Sequence, residues 1–217
     1  MATSTHPSRF WVGGATTWTD HPTPGLRLLS VRADGTTRLG APEPCGGNPT
    51  SGALLPSGNL LVVHELTDGQ ISLYSTGGDQ AILLNSAATH SADPTSVAVT
   101  QDGGHAFVAN YSGGALTVHR LTPLCVKDPL LKVQYEGNGP TERQRSPHPH
   151  QAVIDWEMGS VLVPDLGMDV VHVHLLEDLV NGVPNHHDIA LTPGCGPRHI
   201  ALTGLPADGL GQDTMLV

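Results

Sequence analysis

A segment repeated three times without a gap, short apolar runs punctuated by glycine, aspartate and proline, and a high turn-residue content predict an all-β chain of antiparallel meanders. The meanders are expected to be β-propeller blades, about four of an expected seven. The copies are NPTSGALLPSGNLLVVHELTDGQISLYS from Asn48, DPTSVAVTQDGGHAFVANYSGGALTVHRL from Asp93 and HPHQAVIDWEMGSVLVPDLGMDVVHVHLL from His148. Pro49, Pro94 and Pro149 align, and sixteen residues later so do Glu65, Asn110 and Asp165. The prolines are 45 and 55 residues apart, and GPRHIAL opens a fourth copy with Pro197, 48 residues after Pro149. The 26 glycines and 18 prolines supply the many turns such a chain needs. A β-sandwich with accidental similarity fits the three-way match poorly.

Taken in order, FWVGG near the N-terminus reads as the tail of an earlier copy, with Gly14 in the column of Glu65. Each full copy then runs as turn, first strand (GALLP, SVAVT, AVIDW), glycine-containing turn and second strand (NLLVV, HAFVA, SVLVP). A further turn (TDGQ, SGGA, GMDV) leads to a third, alternating strand such as ISLYS or LTVHR. Blades are expected over residues 10–48, 49–93, 94–148 and 149–196, with the start of the next over 197–217.

Composition narrows the function classes. The formal net charge of −10 argues against a nucleic-acid or anionic-membrane partner, and no apolar run is long enough to span a bilayer. Cys45, Cys125 and Cys195 lie far apart without CxxC spacing, which suits a reducing cytoplasm. The N-terminal MATSTHPSRF carries no secretory pattern. Glycine-rich phosphate loops, GxSxG and HExxH are absent from the sequence, so nucleotide cofactors, phosphoryl transfer and zinc proteolysis find no support.

The repeat turns sequence into geometry. The start of the first strand and the end of the second lie at the same end of a blade. The residues after the aligned prolines are Thr50, Thr95, His150 and Arg198, so successive blades aim them at one spot around the channel mouth. Glu65, Asn110 and Asp165 rim the same face. Gln151 and His199 share the next column with Ser51 and Ser96, and His148 is an immediate neighbour. Arg143 and Arg145, in GNGPTERQRSPHPH, are expected beside Arg198, gathering three of only ten cations at one mouth of an acidic molecule. Such a cluster suits a carboxylate or phosphate.

RQRSPHPHQAVID, VANYSGGALTVHRL, VPDLGMDVVHVHLL and GPRHIAL together resemble the seven-bladed propeller lactonases. That family comprises propeller-type 6-phosphogluconolactonases and fungal 3-carboxy-cis,cis-muconate lactonising enzymes. The resemblance implies that the family's active-site histidine falls on His150 and its first arginine on Arg198. It also implies a glutamate at the end of the second strand of the fourth copy, where this chain reads DTMLV and stops, and a later arginine with no counterpart. Seven blades of ~45–55 residues would need roughly 300 residues or more. The expectation is therefore a partial propeller, weakly active or inactive on its own, whose open blade flank favours self-association.

Lactone hydrolysis needs a group to move a proton and a cation to hold negative charge. His150 is expected to transfer the proton and Arg198 to anchor the anion. His148, His199, Arg143, Arg145 and Gln151 are expected to bind a small anionic lactone, or a muconate in the cyclase alternative. No cofactor or metal is expected. The alternative is a calcium-dependent lactonase using the oxygen donors Glu65, Asn110 and Asp165, although these positions also suit turn-closing hydrogen bonds. A non-catalytic propeller fragment is the remaining alternative. His172 and His174 alternate along VHVHLL and read as surface imidazoles, and His186 and His187 as members of a polar loop. Trp11, Trp18 and Trp156 read as inter-blade packing. Cys45 and Cys195 precede aligned prolines, without a base to activate either.

Overall fold

The computed structural model describes residues 7–17, 20, 25–206 and 213–216. They form a succession of separate antiparallel sheets, each a simple meander. The first sheet has three strands, β1 (Ser8–Val12), β2 (Arg27–Val31) and β3 (Thr37–Leu39). The second holds β4 (Pro49–Leu54), β5 (Leu60–His64), β6 (Gln70–Ser75) and β7 (Ile82–Ala88). The third holds β8 (Pro94–Val99), β9 (His105–Asn110), β10 (Ala115–Thr122) and β11 (Cys125–Gln134). The fourth holds β12 (Val153–Asp155), β13 (Ser160–Asp165), β14 (Val170–Leu175) and β15 (His187–Ala190). Finally β16 (Ala201–Pro206) pairs with β17 (Asp213–Leu216), the DTMLV segment. The blade architecture expected from the repeat is present, and each complete sheet adds a fourth, outer strand to the three legible in the repeat.

The one α-helix among the described residues, α1 (Leu176–Val180), continues directly from β14 and buries Leu179. Helix is scarce because the chain seldom sustains a 3.6-residue apolar period and is broken by turn residues before a helix could lengthen.

The core lies between the sheets rather than within one. Leu61, Val63, Ile71 and Leu73 of the second sheet pack with Val97, Ala106 and Val108 of the third. Phe107, Leu116 and Val118 from the third pack in turn with Ile154, Val161 and Val163 of the fourth. The central strands β5 and β13 are buried along their whole lengths, and β9 everywhere but at His105, since each is covered by neighbouring blades on both faces. Each fully buried aliphatic side chain there contributes ~1.5–3 kcal/mol. Blades therefore stabilise their neighbours more than themselves.

One local device positions the site. In β4 and β8 the pairing register slips between Pro49 and Ser51 and between Pro94 and Ser96, leaving Thr50 and Thr95 as bulge residues. In the fourth sheet Pro149 bridges Asp165, and the His150 N–H donates to Pro164 O at 3.0 Å. A bulge re-aims one side chain out of the pleat. Proline ahead of it costs little, because its nitrogen has no proton to leave unpaired.

The tryptophans divide. Trp11 packs against the cluster of Leu26, Leu60 and Tyr74. Trp156 instead stands 43% exposed, correcting its assignment to inter-blade packing, because it sits in the β12–β13 turn at a blade tip. Trp18 lies outside the described residues.

Candidate active site

The expected column is continuous in space. Thr50 Oγ1 donates to Pro94 O at 3.3 Å, and Thr95 Oγ1 donates to His150 O at 3.1 Å. Arg198 Nε and Nη2 donate to His150 Nε2 at 3.1 and 2.9 Å. Residues 44, 55 and 48 apart in sequence thus meet: Thr95 and His150 each touch the next blade's copy of their own position, and Thr50 touches the residue just before its copy. The adjoining column staples the blades together. The Val97, Ala152 and Ile200 N–H groups donate to Ser51 Oγ at 3.4 Å, Ser96 Oγ at 3.3 Å and Gln151 Oε1 at 2.7 Å. Gln151, expected among the substrate-binding groups, commits its carbonyl to this structural bond.

His150 is held as a neutral base. Burial first, then the charges of Arg198, His199 and Arg143, depress its pKa from the usual 6.5 to about 4. The His199 ring stands edge-on to it at 4.9 Å. Because both guanidinium nitrogens donate to Nε2, the imidazole proton resides on Nδ1, which is buried and makes no protein hydrogen bond.

A wall of aromatic and polar groups backs the pair. The His148 ring stacks on Tyr111 at 4.4 Å and hydrogen-bonds Tyr111 O at 3.1 Å, while His150 meets the edge of the same phenol at 5.7 Å. Arg143 reaches the Tyr111 hydroxyl at 3.4 Å. Tyr111 is a site residue missed in the sequence. The signal was available: the column after Glu65, Asn110 and Asp165 reads Leu66, Tyr111 and Leu166, a polar aromatic between two leucines. Arg145 does not join Arg143 and Arg198. It pairs with Glu142 at 2.7 Å on an exposed 3-10 turn, Glu142–Gln144, whose curl sends alternate arginines different ways. Of the three expected cations, Arg198 contacts His150 and Arg143 acts on it through its charge, while Arg145 stands apart.

The loops carrying Arg143 and Arg198 are tied together by Asp169, a second missed residue. Its Oδ1 accepts from Gln144 Nε2 at 2.6 Å and from the Gly196 N–H at 2.8 Å, and its Oδ2 from the Gly194 N–H at 2.6 Å. Gly167 is required where the Ser146–His148 backbone crosses it, since a Cβ there would collide with the Ser146 carbonyl.

The oxygen-donor column behaves unevenly. Asp165 Oδ1 accepts the N–H groups of His148, Gly167 and Met168 at 2.8, 2.8 and 3.1 Å, closing its own turn. Asn110 turns its amide nitrogen to Val108 O, Ala115 O and Thr117 Oγ1. Both side chains are fully buried and serve their own blades. Glu65 differs: burial and the nearby Asp93 charge raise its carboxyl from 4.5 to about 7, partly offset by the Arg198 charge that faces it.

His172 and His174 are not surface groups. Both are fully buried, because Tyr135, arriving from the end of β11, covers their face of β14. Tyr135 stacks on His172 at 3.7 Å and its hydroxyl meets His174 Nε2 at 2.8 Å. His187, expected in a loop, opens strand β15.

A protein-family model described as lactonase, 7-bladed β-propeller, matches residues 9–204. The 6-phosphogluconolactonase of Bacillus subtilis is 32% identical over 160 residues, 71% of this chain and 45% of that protein. The 6-phosphogluconolactonase of Xenorhabdus nematophila is 30% identical over 148 residues, 67% of this chain and 42% of its own length. The crystallised periplasmic gluconolactonase of Pseudomonas aeruginosa superposes with a TM-score of 0.77 at 21% identity, over 97% of this chain and 68% of that one. The chain spans less than half the length of these two curated relatives. A match over almost the whole described sequence, on blades joined by the contacts above, makes the chain a member of the seven-bladed β-propeller lactonase family.

Proposed function

We propose that this chain carries part of the active site of a sugar-acid lactone hydrolase, with His150 as proton acceptor and Arg198 as anion anchor. The observation that carries the proposal is the direct contact of the two side chains at one mouth of the blades, with Arg143 beside them. The names borne by the curated relatives support a sugar-acid lactone over a muconate. Small free-thiol content supports a reducing compartment.

A hydrolase of this type must bring water to the lactone carbonyl, remove one of its protons and hold the oxyanion that forms. Arg198 at rest occupies the lone pair of His150 Nε2, so the base is masked. A substrate carboxylate or phosphate, or the developing oxyanion, competes for the same guanidinium. When Arg198 turns to that anion, Nε2 is released and the positive charge that weakened it is neutralised. His150 then takes a proton from the attacking water. As the ring C–O bond breaks, the proton passes to the leaving alkoxide, and the products are the open hydroxy acid and the regenerated base.

The test is binding of 6-phosphogluconate, the hydrolysis product, by calorimetry and NMR, beside pH-stat hydrolysis of its lactone. Arg198→Gln is expected to weaken product binding about tenfold or more. His150→Gln should leave binding within a few-fold while removing whatever rate exceeds background. Unchanged binding in R198Q, or a rate above background that H150Q leaves intact, would overturn the assignment.

A further inference from the structure

Away from His150, at the outer edge of the fourth blade, a second cluster has metal-ligand chemistry. His172 on β14, His186 just before β15 and Asp188 within β15 bring one ligand atom each to within 4.8 Å of one another. His172 is buried, whereas His186 and Asp188 are open to solvent, at 29% and 37% exposure.

The hydrogen bonds determine which nitrogens are available. His172 Nε2 points to Asp165 Oδ2 at 3.4 Å, so the ring is oriented by that carboxylate with Nδ1 turned to Asp188. His186 Nδ1 points to Pro184 O at 3.4 Å, and a carbonyl can only accept. The other nitrogen of each ring faces a single carboxylate. His172 Nδ1 lies 2.7 Å and His186 Nε2 3.7 Å from Asp188 Oδ1. Without a metal, the 2.7 Å contact is a hydrogen bond in which His172 Nδ1–H donates to Asp188 Oδ1, and a bound cation would take that proton's place. Anchoring the remote imidazole nitrogen on a carboxylate or backbone carbonyl is also how proteins orient metal-bound histidines.

We propose that His172, His186 and Asp188 form a site for a borderline first-row divalent cation of the zinc class, joining β14 to the outer strand β15. Nitrogen and carboxylate ligands at ~2.0–2.2 Å put neighbouring ligand atoms about 3.4 Å apart on a tetrahedral ion. His172 is the fixed member, clamped by Tyr135 and Asp165. The two exposed side chains make the adjustments of about an ångström that closure requires. The fourth position faces solvent and takes water. Two imidazoles favour zinc, cobalt or nickel over calcium or magnesium, which take oxygen ligands. This site shares no ligand with the proposed lactone site and stands whether or not that function holds.

The experiment is titration of the chelator-treated full chain with Zn²⁺ by calorimetry and with Co²⁺ by visible absorption, alongside His186→Ala and Asp188→Asn. Both substitutions are at solvent-exposed side chains, and far-UV circular dichroism checks that the fold is retained. One equivalent of Zn²⁺ per chain, a Co²⁺ d–d band and a rise in melting temperature are expected for the parent chain. Each variant should bind at least about tenfold more weakly and lose the band. Dissociation of Zn²⁺ weaker than about 1 mM from the parent chain, or equally tight binding by both variants, would overturn the site.

Discussion

Replacing Arg198 with methionine should make His150 a stronger base, by an amount the geometry bounds. The guanidinium nitrogens lie 2.9 and 3.1 Å from His150 Nε2. A unit charge about 4 Å away is worth ~1 kcal/mol in water and ~4 kcal/mol at the effective dielectric of a protein surface. At about 1.4 kcal/mol per pH unit, that corresponds to between one and three units. The whole depression runs only from 6.5 to about 4, burial is its largest cause, and His199 and Arg143 contribute as well. The upper end is therefore excluded, and removing Arg198 should raise the midpoint by about one pH unit. The assay is NMR titration of the His150 Hε1 resonance, assigned by its loss in His150→Gln. The same perturbation shows in stability. Between pH 6.5 and about 4 the unfolded chain binds a proton at this imidazole that the folded chain refuses, so stability falls as pH drops through that window. The variant should recover part of that loss below about pH 5. Saturating 6-phosphogluconate should raise the midpoint in the parent chain, because it draws the same charge away. A midpoint unmoved by both perturbations would refute the masked-base mechanism. Full return to 6.5 in the variant would show that burial is not the larger cause.

Two further outcomes follow from the same geometry. Glu65→Gln should stabilise the chain above neutral pH: the folded state holds a proton between pH 4.5 and about 7 that the unfolded state has released, so stability declines as pH rises through that range. Discounted for partial solvent screening, the gain is about 1 kcal/mol or ~2–4 °C at pH 8, vanishing below pH 4.5, measurable by thermal melts at both pH values. Asp165→Ala should cost ~3–5 kcal/mol in urea unfolding, because three backbone N–H groups and His172 lose a buried acceptor together. A cost under ~1 kcal/mol would show that the turn closes without it.

What could be read from the residues alone was equivalence. A repeat of turn, strand, turn and strand obliges each copy to present the same positions at the same end. The succession Thr50, Thr95, His150 and Arg198 therefore follows from alignment, and so does the approach of imidazole and guanidinium at one mouth. The fold class follows as well, because period-2 patterning and closely spaced turns leave no length for helices. Tertiary structure decided everything that depends on which neighbour covers a face. Tyr135 crosses from the third blade to bury His172 and His174, which strand alternation alone placed at the surface. A 3-10 turn separates Arg143 from Arg145, Asp169 joins two loops 50 residues apart in sequence (Gln144 and Gly194), and the charges of Asp93 and Arg198 act on Glu65. Internal repetition specifies what is common to the blades. Where a contact runs through a residue outside the repeat, as at Tyr135, only packing in three dimensions selects it.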